Sequence, residues 1–213
     1  VWRAGHFLVE IDALGGIATG AGRAAELPGW WLDEVWDLVG QLGAMLADDL
    51  PRLGPTLALQ EPAATALGGH PVFVEAGATI EPHVVFDVGA GPILVRRGAT
   101  VQAFTRLVGP CYVGVDALVT ADKIAACSIG EVARIHGEMS NSVVLGHSNK
   151  AHDGFVGHSY LGRWVNLGAG TTTSNLKNTY GTVSLWTPAG VLDTGLQFLG
   201  TLFGDHAKTV IGL

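Results

Sequence analysis

The sequence predicts an all-β chain wound as a left-handed parallel β-helix of hexapeptide repeats, entered through an N-terminal helical lead-in. Three observations carry that prediction. Aliphatic or aromatic residues recur every six positions at Val74, Ile80 and Phe86, then without a break at Val95, Val101, Leu107, Val113 and Val119. After one-residue slips the beat returns at Ile129 and Ile135, and again at Leu161 and Leu167. A glycine often follows the beat, as in Val113-Gly114, Ile129-Gly130 and Leu161-Gly162, and the 31 glycines, roughly twice average usage, are spread along the chain rather than gathered in one linker. A six-residue step scatters around an α-helix but returns to one face of a strand. Frequent glycines forbid one long strand. A three-sided coil with a corner every six residues satisfies both.

Taken in order, residues 1–28 read as a weakly patterned lead-in with a strand or two. Residues 30–50 read as helix, with Trp31, Val35, Leu38, Leu42, Met45 and Leu46 spaced by threes and fours, Asp33 and Glu34 in the first turn, and Pro51 as its end. Residues 51–71 have the Pro/Gly content of a linker. The expected organisation is therefore 1–71 as lead-in, helix and linker, and 72–213 as the β-helix, its first coil capped by the helix or a partner. Thr209 to Leu213 begin a further hexad and stop. A chain that opens at Val1 without methionine reads as a piece of a longer protein.

Composition narrows the function. The chain has 213 residues, 48% apolar and 15% charged, which excludes disorder. Its apolar stretches are cut by Gly, Pro or a charge well short of a membrane span, and Arg3, Glu10 and Asp12 interrupt a signal-peptide core. A net charge of −7 argues against a nucleic-acid partner. The two cysteines, Cys111 and Cys127, form no CxxC and suit a reducing, cytoplasmic setting as buried small residues.

The beat is expected to break over 136–160, where His136, His147, His152 and His158 gather with Lys150 and Asn149. Local departures from a regular pattern mark functional sites, and imidazoles move protons near neutrality. His152, beside Asp153 as an orienting carboxylate, is the favoured base, with His158 second. His136 and His147 read as surface or corner residues.

The stretch SNKAHDGFVGHSYLGRWVNLGAGTTTSN resembles the acetyltransferase domain of the bacterial bifunctional glucosamine-1-phosphate N-acetyltransferase/N-acetylglucosamine-1-phosphate uridylyltransferases, and their sugar nucleotidyltransferase relatives. The similarity covers roughly 74–213 and is sharpest at 137–178. It implies a homotrimer that uses acetyl-CoA as co-substrate to acetylate an amino-sugar 1-phosphate such as glucosamine 1-phosphate, at sites between subunits, for nucleotide-sugar and cell-envelope synthesis. By position it makes His152 the base, Asn166 a sugar contact, Asn175 a positioning group, and Ala169 the N–H facing the thioester oxygen. It places Thr201 at the coenzyme, where Lys208 is a further candidate. The family's phosphate-binding lysine falls on Ser140 and its tyrosine on Phe155, and its arginine has no clear counterpart. Lys150, Lys123 and Arg106 are the candidates for the anionic ends. A nucleotidyltransferase half is expected, if anywhere, before Val1.

Acyl transfer from a thioester needs no metal: a base, an oxyanion donor and a slot for the coenzyme arm suffice. Two rival expectations stand beside it. Gly146-His147 to His152 copies the G-H-x4-H spacing of γ-class carbonic anhydrases, whose trimers hold zinc, but a third ligand at a sensible distance is missing. A non-catalytic trimerisation module of a sugar nucleotidyltransferase is the other, consistent with Ser140 and Phe155. Exposed prism sides carrying Phe104, Phe155 and Trp164 are the surfaces expected to associate.

Overall fold

The computed structural model describes residues 5–11, 23–62, 64–120 and 122–213. The chain divides into two compact units, 1–38 and 39–213. In the first, strand Gly5–Ile11 pairs antiparallel with Arg23–Gly29. The predicted helix starts later than expected. The Asp37 carboxylate accepts from the backbone N–H groups of Asp33 (2.8 Å) and Glu34 (3.0 Å), so 33–36 form a turn and helix begins only at Asp37.

Two helices follow, α1 (Asp37–Gly40) and α2 (Leu42–Leu53). Leu42, Leu46 and Leu50 form the buried stripe of α2, whereas Val35 lies exposed. Pro51 does not end this helix. It forgoes one backbone donor, yet Gly54 N–H still bonds Leu50 O and the last turn closes.

From Thr65 the second unit is a three-sided parallel β-helix, as the hexapeptide beat requires. The first side stacks strands Thr65–Gly68, Val85–Val88, Thr105–Val108, Asp122–Ala125, Met139–Ser140 and Val156–Gly157. The second stacks Val72–Val74, Ile93–Val95, Cys111–Val113, Ser128–Glu131, Val143–Gly146, Tyr160–Arg163 and Leu202–Phe203. The third stacks Thr79–Ile80, Thr100–Val101, Leu118–Thr120, Arg134–His136 and Asn149–Lys150. The stretch read as a linker, 51–71, thus already contains the first strand of the first side.

Register turns the beat into three interior columns. Phe86, Leu107, Ile124, Met139 and Val156 line the first side. Val74, Val95, Val113, Ile129, Val144, Leu161 and Phe203 line the second. Ile80, Val101, Val119, Ile135 and Lys150 line the third. All but Ile80, Phe203 and Lys150 are buried members of one apolar core, with Ile80 and Phe203 packed partly buried against it. Full burial of each such side chain stabilises by about 1.5–3 kcal/mol.

The winding does not break over 136–160, contrary to expectation. Sides shorten instead, from Ile135 to Met139 and from Met139 to Val144, and the coil continues. Its corners select their residues: Asp116, Val132, His147, Trp164 and His206 at one corner, and Ala126, Asn141 and His158 at another, all have positive φ. His and Asn tolerate that conformation better than most side chains, which accounts for His147, His158 and His206 without any chemistry.

Helix α2 does not cap the first coil. It packs on the outside of the second side against Cys111–Val113, and Gly54 just beyond it abuts the ring of Phe73. The edge strand Val72–Val74 is covered by the segment around Leu59, where Gln60 N–H bonds Val74 O (2.8 Å) and Ala76 N–H bonds Ala58 O (2.7 Å). In the last coil, residues 176–198 leave the prism as an insertion closed by Leu199 N–H to Asn175 O (2.9 Å) and bearing the hairpin Ser184–Thr187/Gly190–Asp193. Among the described residues no helix is long and apolar enough to cross a membrane.

Candidate functional site

Polar side chains converge where the third side turns into the first. Successive coils place Asp122, then His136 to Glu138, then Ala151 to Phe155, then Gly168 to Thr171 at this corner. Backbone bonds hold the last two turns together, Gly170 N–H to Asp153 O (2.9 Å) and Thr173 N–H to Phe155 O (2.9 Å). A cleft of about 470 Å³ opens here between Asp122, Lys123, Glu138, Asp153 and Phe155.

His136 is the most firmly held imidazole at the corner. Its Nδ1 lies 2.6 Å from Thr120 O, and its Nε2 lies 2.9 Å from Asp153 Oδ1. The Thr120 hydroxyl also approaches Nδ1 at 3.0 Å, so three contacts from two neighbouring coils fix the ring. The ligand atoms of Asp122, His136 and Asp153 all lie within 4.8 Å of one another. Chain adjacency predicts Asp153 as the partner of His152, with His136 a surface or corner residue. The structure pairs Asp153 with His136, one coil away. The 17-residue separation of the pair is one coil, and that spacing rather than chain adjacency is the signal that could have found it.

His152 is exposed at the same turn, and its carbonyl accepts from Lys150 Nζ (3.0 Å). Lys150 does not face an open anion site as expected. It is 2% exposed, occupying the third-side column above Ile135, and its ammonium donates to His136 O (2.5 Å) as well as His152 O. Burial pushes its pKa down to about 8, with Asp153 and Asp122 opposing that shift. Ala169 lies one turn on, at the corner. Its carbonyl accepts from Gly212 N–H (2.7 Å), and its own N–H makes no hydrogen bond among the described residues.

Most of the remaining predicted residues fall on the two sides flanking this corner, with His158 and Thr201 at the next one. On the first side, Arg106 and Lys123 are register partners. Arg106 is committed to Asp87 (2.5 Å), whose carboxyl it holds below the usual range, whereas Lys123 is exposed and lines the cleft. Phe155 and Asn175 meet over Gly157, where a Cβ would collide with the Phe155 ring and lie 2.6 Å from Asn175 Nδ2. That amide contacts His158 Nδ1 at 2.9 Å, and the His158 ring stacks on Phe198 with centroids 5.3 Å apart. Burial lowers the His158 pKa. On the third side, Asn166 stands between Asn149 and Lys208 in a parallel ladder, its Oδ1 accepting from Asn149 Nδ2 (2.8 Å). Thr201 sits apart, where the first side turns into the second, its N–H bonded to Ser159 Oγ (3.0 Å).

The zinc-type spacing does not bring His147 and His152 together. His147 stacks on Trp164 at 4.6 Å at a different corner, facing Glu131. Cys111 and Cys127 are free and buried, as expected.

The chain is 37% identical over 107 residues to the bifunctional protein GlmU of Gluconobacter oxydans (strain 621H), covering 48% of this chain and 23% of that protein. It is 31% identical over 143 residues to GlmU of Bartonella quintana (strain Toulouse), covering 61% and 28%. Both of these relatives are GlmU proteins. A third, from Desulfitobacterium hafniense (strain DSM 10664 / DCB-2), is 27% identical over 155 residues, covering 61% and 33%. The chain spans about a quarter to a third of the length of these GlmU relatives. No model of a protein family matches it. The resemblance read from the SNKAHDGF and VNLGAGT segments is thereby borne out at the level of relationship.

Proposed function

We propose that this chain is an N-acetyltransferase domain that transfers the acetyl group of acetyl-CoA to the amine of an amino-sugar 1-phosphate such as glucosamine 1-phosphate. The observation that carries the proposal is the corner itself. It presents an exposed imidazole, His152, one turn before an unpartnered backbone N–H, Ala169, in a β-helix related to GlmU.

In the proposed reaction, the neutral amine attacks the thioester carbonyl and a C–N bond forms. Charge collects on the carbonyl oxygen, where the Ala169 N–H donates. His152 takes the proton released from the attacking nitrogen. The C–S bond breaks, and coenzyme A leaves as thiolate, which that proton neutralises. Asn175, fixed by His158, and Asn166, fixed by Asn149, position the sugar from the two flanking sides. Lys123 offers the exposed cation for the phosphate, and Thr201 and Lys208 bind the coenzyme.

Because Asn166 and Asn175 stand on different sides of the prism, the complete site is proposed to form between neighbouring copies in a cytoplasmic homotrimer. The exposed Phe104 and Trp164 supply apolar contact for that association. A thiol-release assay with acetyl-CoA across amino-sugar 1-phosphates tests the reading. His152→Ala is expected to lower kcat by about 10²–10⁴-fold. Equal rates for the two proteins overturn His152 as the base.

A further inference from the structure

We infer that Lys150 is a positioning residue whose ammonium, from inside the prism, ties the His136 turn to the His152 turn and so fixes the proposed base against the reacting groups. The inference rests on the reaction proposed above. The column is apolar at Ile80, Val101, Val119 and Ile135 before Lys150 and at Leu167 after it, and the uncharged Thr209 follows, so Lys150 is the one charged side chain among its described members. Lysine in such a column bears a desolvation cost that a leucine would not.

What the cost secures is visible in the two bonds. The carbonyls of His136 and His152 belong to successive coils at the corner, and both point at one nitrogen. Gly137 makes room for it. At its φ of +81° a Cβ would come within 2.8 Å of Lys150 Nζ. The carboxylates of Asp122 and Asp153 at the corner favour the charged form of the ammonium, and Asp153 also grips the His136 ring. The packed neighbours along the column, Ile135 and Leu167, carry no charge. Lys150 touches no site from which substrate is reached directly. It acts through the backbone of His152.

Lys150→Met separates positioning from stability, because a buried charge replaced by an apolar chain of similar length often leaves a fold as stable or more so. The expected result is an unchanged or higher Tm, a kcat lower by about 10–100-fold, and amide exchange at residues 152–154 faster by about tenfold. Wild-type kcat and exchange in this variant overturn the inference, as does a Tm that falls in step with activity. Should Lys150→Met fail to fold, Lys150→Arg decides. Arginine keeps N–H donors, so exchange like wild type with kcat within about threefold supports the tie, and exchange as fast as in Gly137→Ala, which displaces the ammonium, removes it. If wild-type protein releases no thiol with any amino-sugar 1-phosphate, the proposed reaction fails, while the exchange comparison still reports whether Lys150 holds the turn.

Discussion

The coils before His136 and the coils after it share one winding but divide the labour. In the earlier coils the three columns are apolar and carry no charge, and charged groups outside pair one coil apart, Glu75 with Arg96 (2.6 Å) and Asp87 with Arg106. In the later coils Lys150 enters the interior, and the pairs one coil apart come to include His136 with Asp153. The difference teaches that a repeat can keep its hydrogen-bonded ladder intact while exchanging interior stability for a fixed polar turn. Substitution at equivalent positions breaks or sharpens that contrast. Leu107→Ala, in the first-side column of the earlier coils, is expected to cost about 2–5 kcal/mol in urea unfolding, because its neighbours Phe86 and Ile124 are themselves fully buried and collapse little. A loss as large from Lys150→Met would erase the contrast.

Much of this architecture was legible from spacing. The beat at Val74, Ile80, Phe86 and their successors named interior residues correctly because side-chain alternation and a six-residue side leave one face no alternative. The columns continued through Met139, Val144 and Val156, which the beat missed: shorter sides shift the phase without unwinding the ladder. The site was less legible for a related reason. Chain neighbours at a corner diverge, while lateral neighbours lie a whole coil apart, so Asp153 belonged to His136 and Lys150 to the interior. Clustering of histidines in the sequence misled in the same way, since His147 and His158 are held by corners of their own.

At the other end of the site, Asn175→Ala is expected to destabilise the late coils by about 1–3 kcal/mol, because it strips the half-buried His158 Nδ1 of its partner. Thermal melts followed with the insertion's Trp186 as reporter measure it, and a melt identical to wild type removes the proposed role of His158 in fixing Asn175.

A pH series separates Lys150 from its apolar counterparts. Its folded pKa, about 8, lies below the ordinary 10.5, so the unfolded chain binds the extra proton between those values. Wild-type stability relative to Lys150→Met should therefore rise as pH climbs from about 8 toward 10.5, and the burden of the buried charge is fully present below 8. Urea midpoints for both proteins across that window test it, and parallel profiles contradict a buried ammonium.

The smallest effect is expected from Arg106→Gln in the earlier coils. Arg106 is more than half exposed, and an ion pair in that setting is screened by solvent and salt. Asp87 nonetheless titrates below its ordinary range, chiefly because Arg106 donates to it and secondarily because Gly89 N–H does. A depressed carboxyl pKa contributes stability above the ordinary value and loses it as acid protonates the folded form. Any difference between wild type and Arg106→Gln should then be confined to neutral pH and low salt and vanish toward acid, read as converging urea midpoints. Because Arg106 is already occupied by Asp87, the same change should also alter the KM for the sugar phosphate less than Lys123→Gln does. A larger KM effect from Arg106→Gln would mean that the guanidinium leaves Asp87 for the substrate, and that the earlier coils contribute to the site after all.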